Sequence, residues 1–301
     1  MDYRQGPMPY DAAMTEPRLH HVQCLDARGL HRVAYWEHGD PANPRVLVCV
    51  HGLSRQGRDF DTLAAALSDR YRVVCPDVVG RGMSDRLADP MGYVVPTYVA
   101  DMVTVLARVN AQQLDWVGTS MGGLIGLGLA SLKGSPLRRL VLNDVGPAIR
   151  AEALQRIGGY LGKAPTFASL DEAADYLRSI SQGFGPHTRE QWLALSRPML
   201  RERDGRFELH YDPAIAVPFG ALTPELAAAG EAALWQAWDS LRIPVLLLRG
   251  AESDLLSRET AQEMTRRGPR ARLVEFAGVG HAPMLTSPEQ IGAVREFLLA
   301  P

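Results

Sequence analysis

The sequence predicts a mostly parallel, doubly wound α/β sheet interrupted by a helical insertion. Three observations carry this. Short apolar, β-branched runs recur between stretches with helical spacing, as expected of strands buried on both faces and linked by crossover helices. The alternation stops after Pro147, and residues 147–238 show helix signals without a core-strand pattern. It then resumes and runs to a helix near the end of the chain.

In chain order, residues 19–25 and 31–38 flank the turn signal Asp26-Ala27-Arg28-Gly29 and read as an antiparallel hairpin. Its His20, His21, His31 and His38 show no partner pattern and read as strand or surface histidines. Residues 45–50 form a continuous buried strand ending in His51-Gly52-Leu53-Ser54, and residues 59–67 follow with helical spacing. Residues 71–75 are the next strand, ending in a glycine-punctuated loop, Pro76 to Asp85. A helix spans 96–109 with Pro96 in its first turn. The strand 114–117 runs into Gly118-Thr119-Ser120-Met121-Gly122-Gly123, followed by a small-residue helix, and strand 137–142 ends at Asn143-Asp144. Within the insertion, Ser169…Glu172 and Thr188…Gln191 match capping boxes, and Thr223-Pro224 reads as N-cap then first helical position. Strand 243–248, helix 257–267, strand 271–276 and a helix capped by Ser287-Pro288-Glu289-Gln290 complete the pattern. The expected organisation is therefore a loose arm over 1–17, a core over 18–146 and 239–301, and a lid over 147–238.

The bulk numbers fit one large domain with an insertion. The chain has 301 residues, 46% hydrophobic and 22% charged, with net charge −2. The absence of a basic stripe disfavours a nucleic-acid partner, and no apolar run is long enough to span a bilayer. The first 17 residues lack the apolar stretch of a signal peptide. Cys24, Cys49 and Cys75 have neither a disulfide framework nor zinc-site spacing, so they read as buried small hydrophobes in a reducing, cytoplasmic setting. No metal is expected. Oligomeric state leaves no trace.

Chemistry is expected at the carboxyl ends of the strands, where open parallel sheets bind ligands. His51, Asp77, Ser120, Asp144, Asp254 and His281 stand there. Gly118-x-Ser120-x-Gly122 in a strand–turn–helix setting is a nucleophile elbow: the turn is tight enough to strain Ser120 and lift its hydroxyl clear of the sheet. A serine hydroxyl needs a base, and an imidazole oriented by a carboxylate supplies one near neutral pH. The chain order Ser120…Asp254…His281 fits. Asp144, after the strand beside the elbow strand, is the alternative acid. Oxyanion donors are expected from the backbone N–H of Met121 and of Leu53, with Gly52 permitting close approach. The His51 side chain reads as a loop anchor. Arg55 and Gln56 either line the mouth or are solvated, and so are Arg197, Arg201, Arg203 and Arg206 either attractors of an anionic substrate or a solvated face.

Taken together, His51-Gly52, Gly80-Arg81-Gly82-Met83-Ser84-Asp85, the Ser120 elbow, Asp254 and Gly280-His281 make the chain resemble the α/β-hydrolase superfamily over nearly its whole length after Arg18. The resemblance implies a cofactor-free serine hydrolase with a helical cap over Ser120. It is similar to bacterial esterases, lactonases, carbon–carbon bond hydrolases and hydrolases of hydroxyalkanoate oligomers. Ester hydrolysis through an acyl-enzyme on Ser120, acting on a small ester-like substrate, is the expected activity. A carbon–carbon hydrolase or perhydrolase using the same residues is the alternative, and a non-catalytic binding protein a more distant one.

Overall fold

The computed structural model describes residues 16–301; most of the expected N-terminal arm lies outside the described residues. β1 (Arg18–Asp26) and β2 (Gly29–His38) form the hairpin, which begins the sheet as an antiparallel edge. β3 (Arg45–Val50) leads through one 3₁₀ turn to α1 (Asp61–Leu67), then β4 (Arg72–Asp77), α2 (Val95–Val109) and β5 (Gln113–Thr119). α3 (Met121–Ser131) and β6 (Leu137–Asn143) close the first half.

The segment after β6 holds α4 (Ala151–Tyr160), β7 (Thr166–Phe167), α5 (Leu170–Ile180), α6 (Arg189–Ser196), β8 (Leu200–Arg203), β9 (Arg206–Leu209), α7 (Ala216–Gly220) and α8 (Pro224–Ser240). The chain returns to the main sheet with β10 (Val245–Gly250), α9 (Arg258–Met264), β11 (Arg272–Phe276) and α10 (Pro288–Leu299).

The main sheet has eight strands in the order β1-β2-β4-β3-β5-β6-β10-β11, and β4 through β11 run parallel. Strand order reverses beside β3, because β4 pairs on one side of it and β5 on the other. This switch point opens a crevice between the carboxyl ends of β3 and β5, where His51 and Ser120 emerge. Alternate residues of β3 feed opposite layers. Val46, Val48 and Val50 pack with residues of α2 and α3, whereas Leu47 and Cys49 pack with residues of α1 and α10. All three cysteines are buried thiols.

One expectation needs correction. The inserted segment is not purely helical: β7, β9 and β8 form a small antiparallel sheet. His31 and His38 are strand histidines of β2, and both are buried; His31 Nε2 is hydrogen-bonded to Asp101 Oδ1 at 2.9 Å, pinning the hairpin to α2. Of the expected capping boxes, the one at Thr188 is complete. Ser169 and Ser287 cap their helices, but Glu172 and Gln290 turn back to the N–H groups of Ala168 and Leu285.

Candidate active site

The elbow forms because β5 and α3 approach too closely for side chains at the glycines. A Cβ on Gly118 would lie 2.2 Å from the Gly122 carbonyl oxygen, and one on Gly122 would lie 2.0 Å from that of Val50. Gly52, by contrast, leaves ordinary room, with a Cβ there 3.6 Å from Ser120 Cβ. Ser120 takes φ 52° and ψ −118°, a strained conformation of the kind that costs about 1–3 kcal/mol and persists only where surroundings enforce it. Enforcement is visible: the Ser120 N–H donates to the Asn143 carbonyl (2.9 Å), and buried Trp116 donates its indole N–H to the Gly122 carbonyl (3.1 Å).

His281 lies on the loop after β11, with its Nε2 3.0 Å from Ser120 Oγ and its Nδ1 2.7 Å from Asp144 Oδ2. Asp144 is fully buried at the end of β6. Its Oδ1 accepts the Gly250 N–H (2.9 Å) and its Oδ2 accepts the Ser253 hydroxyl (2.6 Å). Two neighbouring donors are already aimed at the carboxylate, which stands as the acceptor toward His281. His281 Nδ1 therefore carries the proton, and Nε2 offers its lone pair to the Ser120 hydroxyl.

Asp254, the expected acid, is elsewhere. Its carboxylate pairs bidentately with Arg156 of α4 at 2.5 and 3.0 Å, and its side chain is 43% exposed. The turn after β10 bends between Gly250 and Ser253 and presents their donors to Asp144, so Asp254 falls one residue past the inward-facing part. Chain order could not separate the two, since Ser120, Asp144 and His281 also run Ser…Asp…His. Ser253 and Asn143 were not singled out by the sequence; Asn143 donates to the Thr119 hydroxyl and to the Pro283 carbonyl, joining the elbow to the histidine loop.

Leu53 borders the chamber above Ser120, and Met121 opens α3, where the first N–H groups have no intrahelical acceptor. His51 anchors the β3 loop as expected. Its Nε2 accepts the Val78 N–H and its Nδ1 donates to the Gly52 carbonyl. Complete burial pushes its pKa down to about 3, so it stays neutral. Asp77 ties the segments after β3 and β4 to β2 by accepting from Gly57, Met83 and Trp36, and burial raises its pKa to about 6.

The chamber holding Ser120 and His281 is small, about 70 Å³, with a largely apolar wall from the inserted segment that includes Ile157, Leu177, Phe184 and Met199. It adjoins a wider vestibule of about 890 Å³ that shares Arg156, Tyr160, Ile180 and His281 and also reaches Asp254. Arg55 does line the chamber, but its guanidinium is engaged by Asp59 at 2.6 and 2.7 Å. Gln56 donates to the Pro198 carbonyl. Arg201 pairs with Glu208, Arg203 with Asp204, and Arg206 donates to Thr166, while Trp192 and Trp238 are buried. Outside the site, Cys24, His31 and Asp101 offer ligand atoms within 4.8 Å of one another, but the His31–Asp101 hydrogen bond already engages two of the three side chains.

A serine, an imidazole and a buried carboxylate linked at a strand–turn–helix elbow define the serine-nucleophile class on this fold. The chain belongs to the alpha/beta hydrolase family, whose model matches residues 47–294. It is 57% identical over 285 residues to a 3-hydroxybutyrate-oligomer hydrolase of Cupriavidus necator, covering 93% of this chain and 97% of that one. A 2-hydroxymuconate semialdehyde hydrolase of a Pseudomonas strain is 28% identical over 71% of each chain. Among solved structures, an alpha/beta hydrolase from Novosphingobium aromaticivorans matches with a TM-score of 0.82 and 36% identity, covering 95% of this chain and 99% of that one.

Proposed function

We propose that this chain hydrolyses the ester bonds of 3-hydroxybutyrate oligomers through an acyl-enzyme on Ser120. The observation that carries the chemistry is the hydrogen-bonded chain Ser120–His281–Asp144. Substrate class is supported by the 57% identity to the oligomer hydrolase, which extends over nearly both full chains.

In this reading His281 Nε2 takes the Ser120 proton as Oγ attacks the ester carbonyl, and later returns it to the departing alcohol. Asp144 fixes the tautomer and stabilises the imidazolium. The backbone N–H groups of Leu53 and Met121 receive the developing oxyanion. Water then enters, His281 removes its proton, and the free acid leaves. Residues 147–238 serve as the lid whose apolar side chains border the chamber. The neutral ester repeat of an oligomer suits that apolar wall, and the vestibule has room for units that follow.

Purified protein incubated with the linear hydroxybutyrate trimer should release 3-hydroxybutyrate, followed by chromatography. Ser120→Ala should abolish release. A Ser120→Ala variant acting at the wild-type rate refutes the nucleophile; inertness of the wild type toward the trimer, with activity on simple esters, refutes the substrate.

A further inference from the structure

Arg81 sits on the loop after β4 and is 1% exposed. A buried guanidinium ordinarily keeps a carboxylate beside it, because the desolvated charge is otherwise costly. Among the described residues, no carboxylate pairs with Arg81. Its donors go to neutral groups instead. Nε donates to the Leu53 carbonyl (2.8 Å), and Nη1 to the Val79 carbonyl (2.7 Å) and the Tyr98 hydroxyl (3.0 Å). Nη2 lies 3.7 Å from Met121 Sδ. The Tyr93 and Tyr98 rings flank the guanidinium, with centroids 5.7 and 5.1 Å away.

Two of these contacts fall on Leu53 and Met121, the residues whose N–H groups face the oxyanion in the proposed reaction. The backbone around Arg81 is also bonded to the inserted segment. Gly82 N–H donates to the His210 carbonyl (2.9 Å), Asp212 N–H donates to the Gly80 carbonyl (2.7 Å), and Arg81 bridges Tyr211, which borders the chamber. The fork therefore spans the oxyanion loop and the first residue of α3, while the backbone on either side of it is bonded to the wall of the substrate chamber.

We propose that Arg81 is a positioning residue for the oxyanion site: its guanidinium fixes Leu53 and Met121 and brings them a positive charge that no carboxylate pairs, while its backbone ties the same loop to the inserted segment. This rests on the reading of Ser120 as nucleophile. Fixed donors and charge in a water-poor site stabilise the transition state more than the ground state, so the effect belongs in kcat. Lysine restores the charge but not the planar fork, and methionine restores neither.

The test compares Arg81→Lys and Arg81→Met with wild type on p-nitrophenyl butyrate, with active sites counted by fluorophosphonate labelling. Removal of a direct oxyanion donor costs about 10²–10³ in kcat, so loss of its support is expected to cost about 10–100-fold in Arg81→Met and less in Arg81→Lys. KM should stay within about threefold, and the inhibition constant of a trifluoromethyl ketone, which mimics the tetrahedral adduct, should weaken in step with kcat. A kcat per labelled site within about threefold of wild type in the folded variants overturns the proposal, as does a rise in KM alone. If Arg81→Met does not fold, Arg81→Lys decides: at least about fivefold lost from kcat supports the proposal, and an unchanged kcat overturns it. Failure of the wild type to be labelled at Ser120 overturns the nucleophile reading itself, whatever the variants do.

Discussion

Replacing Asp144 by asparagine changes one atom and should change which nitrogen of His281 carries the proton. The Gly250 N–H is a fixed backbone donor 2.9 Å from Oδ1, so the asparagine amide must set its carbonyl oxygen there. Its NH₂ group then occupies the Oδ2 position, facing the Ser253 hydroxyl and His281 Nδ1. The Ser253 hydroxyl can rotate to accept. His281 must turn Nδ1 into an acceptor, which moves the proton to Nε2 and removes the base from Ser120. Serine enzymes that suffer this inversion lose about 10⁴ in kcat, or about 5 kcal/mol of barrier at 1.36 kcal/mol per decade. The matched control is Asp254→Asn. It breaks an ion pair whose partners are 43% and 40% exposed, an interaction of about 1 kcal/mol or less. Its kcat on p-nitrophenyl butyrate should stay within about threefold of wild type. The assay is steady-state hydrolysis, with thermal melting to show that both variants fold. A large loss in Asp254→Asn with near-normal rates in Asp144→Asn would refute the assignment of Asp144 as the acid.

The elbow and the buried loops yield two further predictions. Gly122→Ala forces a Cβ to 2.0 Å from the Val50 carbonyl oxygen, so it should destabilise by at least about 3 kcal/mol in urea unfolding, whereas Gly230→Ala, with open space on α8, should be neutral or stabilising; equal midpoints for both would refute the steric account. His51 has a folded pKa of about 3 against about 6.5 unfolded, so between those values the unfolded chain binds the extra proton and stability falls as pH falls. That loss reaches several kcal/mol by about pH 3, while Asp77, raised to about 6, opposes it between about pH 4 and 6 because there the folded state holds the extra proton. Unfolding midpoints between pH 7 and 4 should therefore drop more steeply for wild type than for His51→Gln, and parallel curves would count against the buried neutral imidazole.

The fold was legible because burial on both faces leaves a local mark. β3 and β10 carry unbroken apolar runs, β5 and β6 shorter ones beside Asp115 and Arg138-Arg139, and the glycines around Ser120 announce the turn. The small sheet of the inserted segment left a weaker mark. β8 and β9 read Leu-Arg-Glu-Arg and Arg-Phe-Glu-Leu, charged sequences without an apolar face long enough to register. A signal was nonetheless present between them. Asp204-Gly205, with φ values of 50° and 71°, is the pair that a two-residue hairpin turn favours. Recognising it would have placed a hairpin where only helices were expected.

The acid was harder for a different reason. Asp144 and Asp254 both stand just past the end of an apolar parallel strand, and both fall between Ser120 and His281 in sequence, so no one-dimensional pattern ranks them. What ranks them is the path of three residues after β10. Gly250 and Ser253 turn their N–H and O–H toward β6, building a donor cradle. A carboxylate is needed from the neighbouring strand to fill it, and Asp144 does so from a left-handed backbone position at φ 56°, its own N–H donating to Leu248 of β10. That φ is unusual for a non-glycine residue and is imposed by the pairing of β6 with β10, a contact between residues more than a hundred positions apart. The loop that carries Asp254 thus supplies the donors that hold Asp144 in place, and Asp254 is left to pair with Arg156 of the inserted segment beside the vestibule.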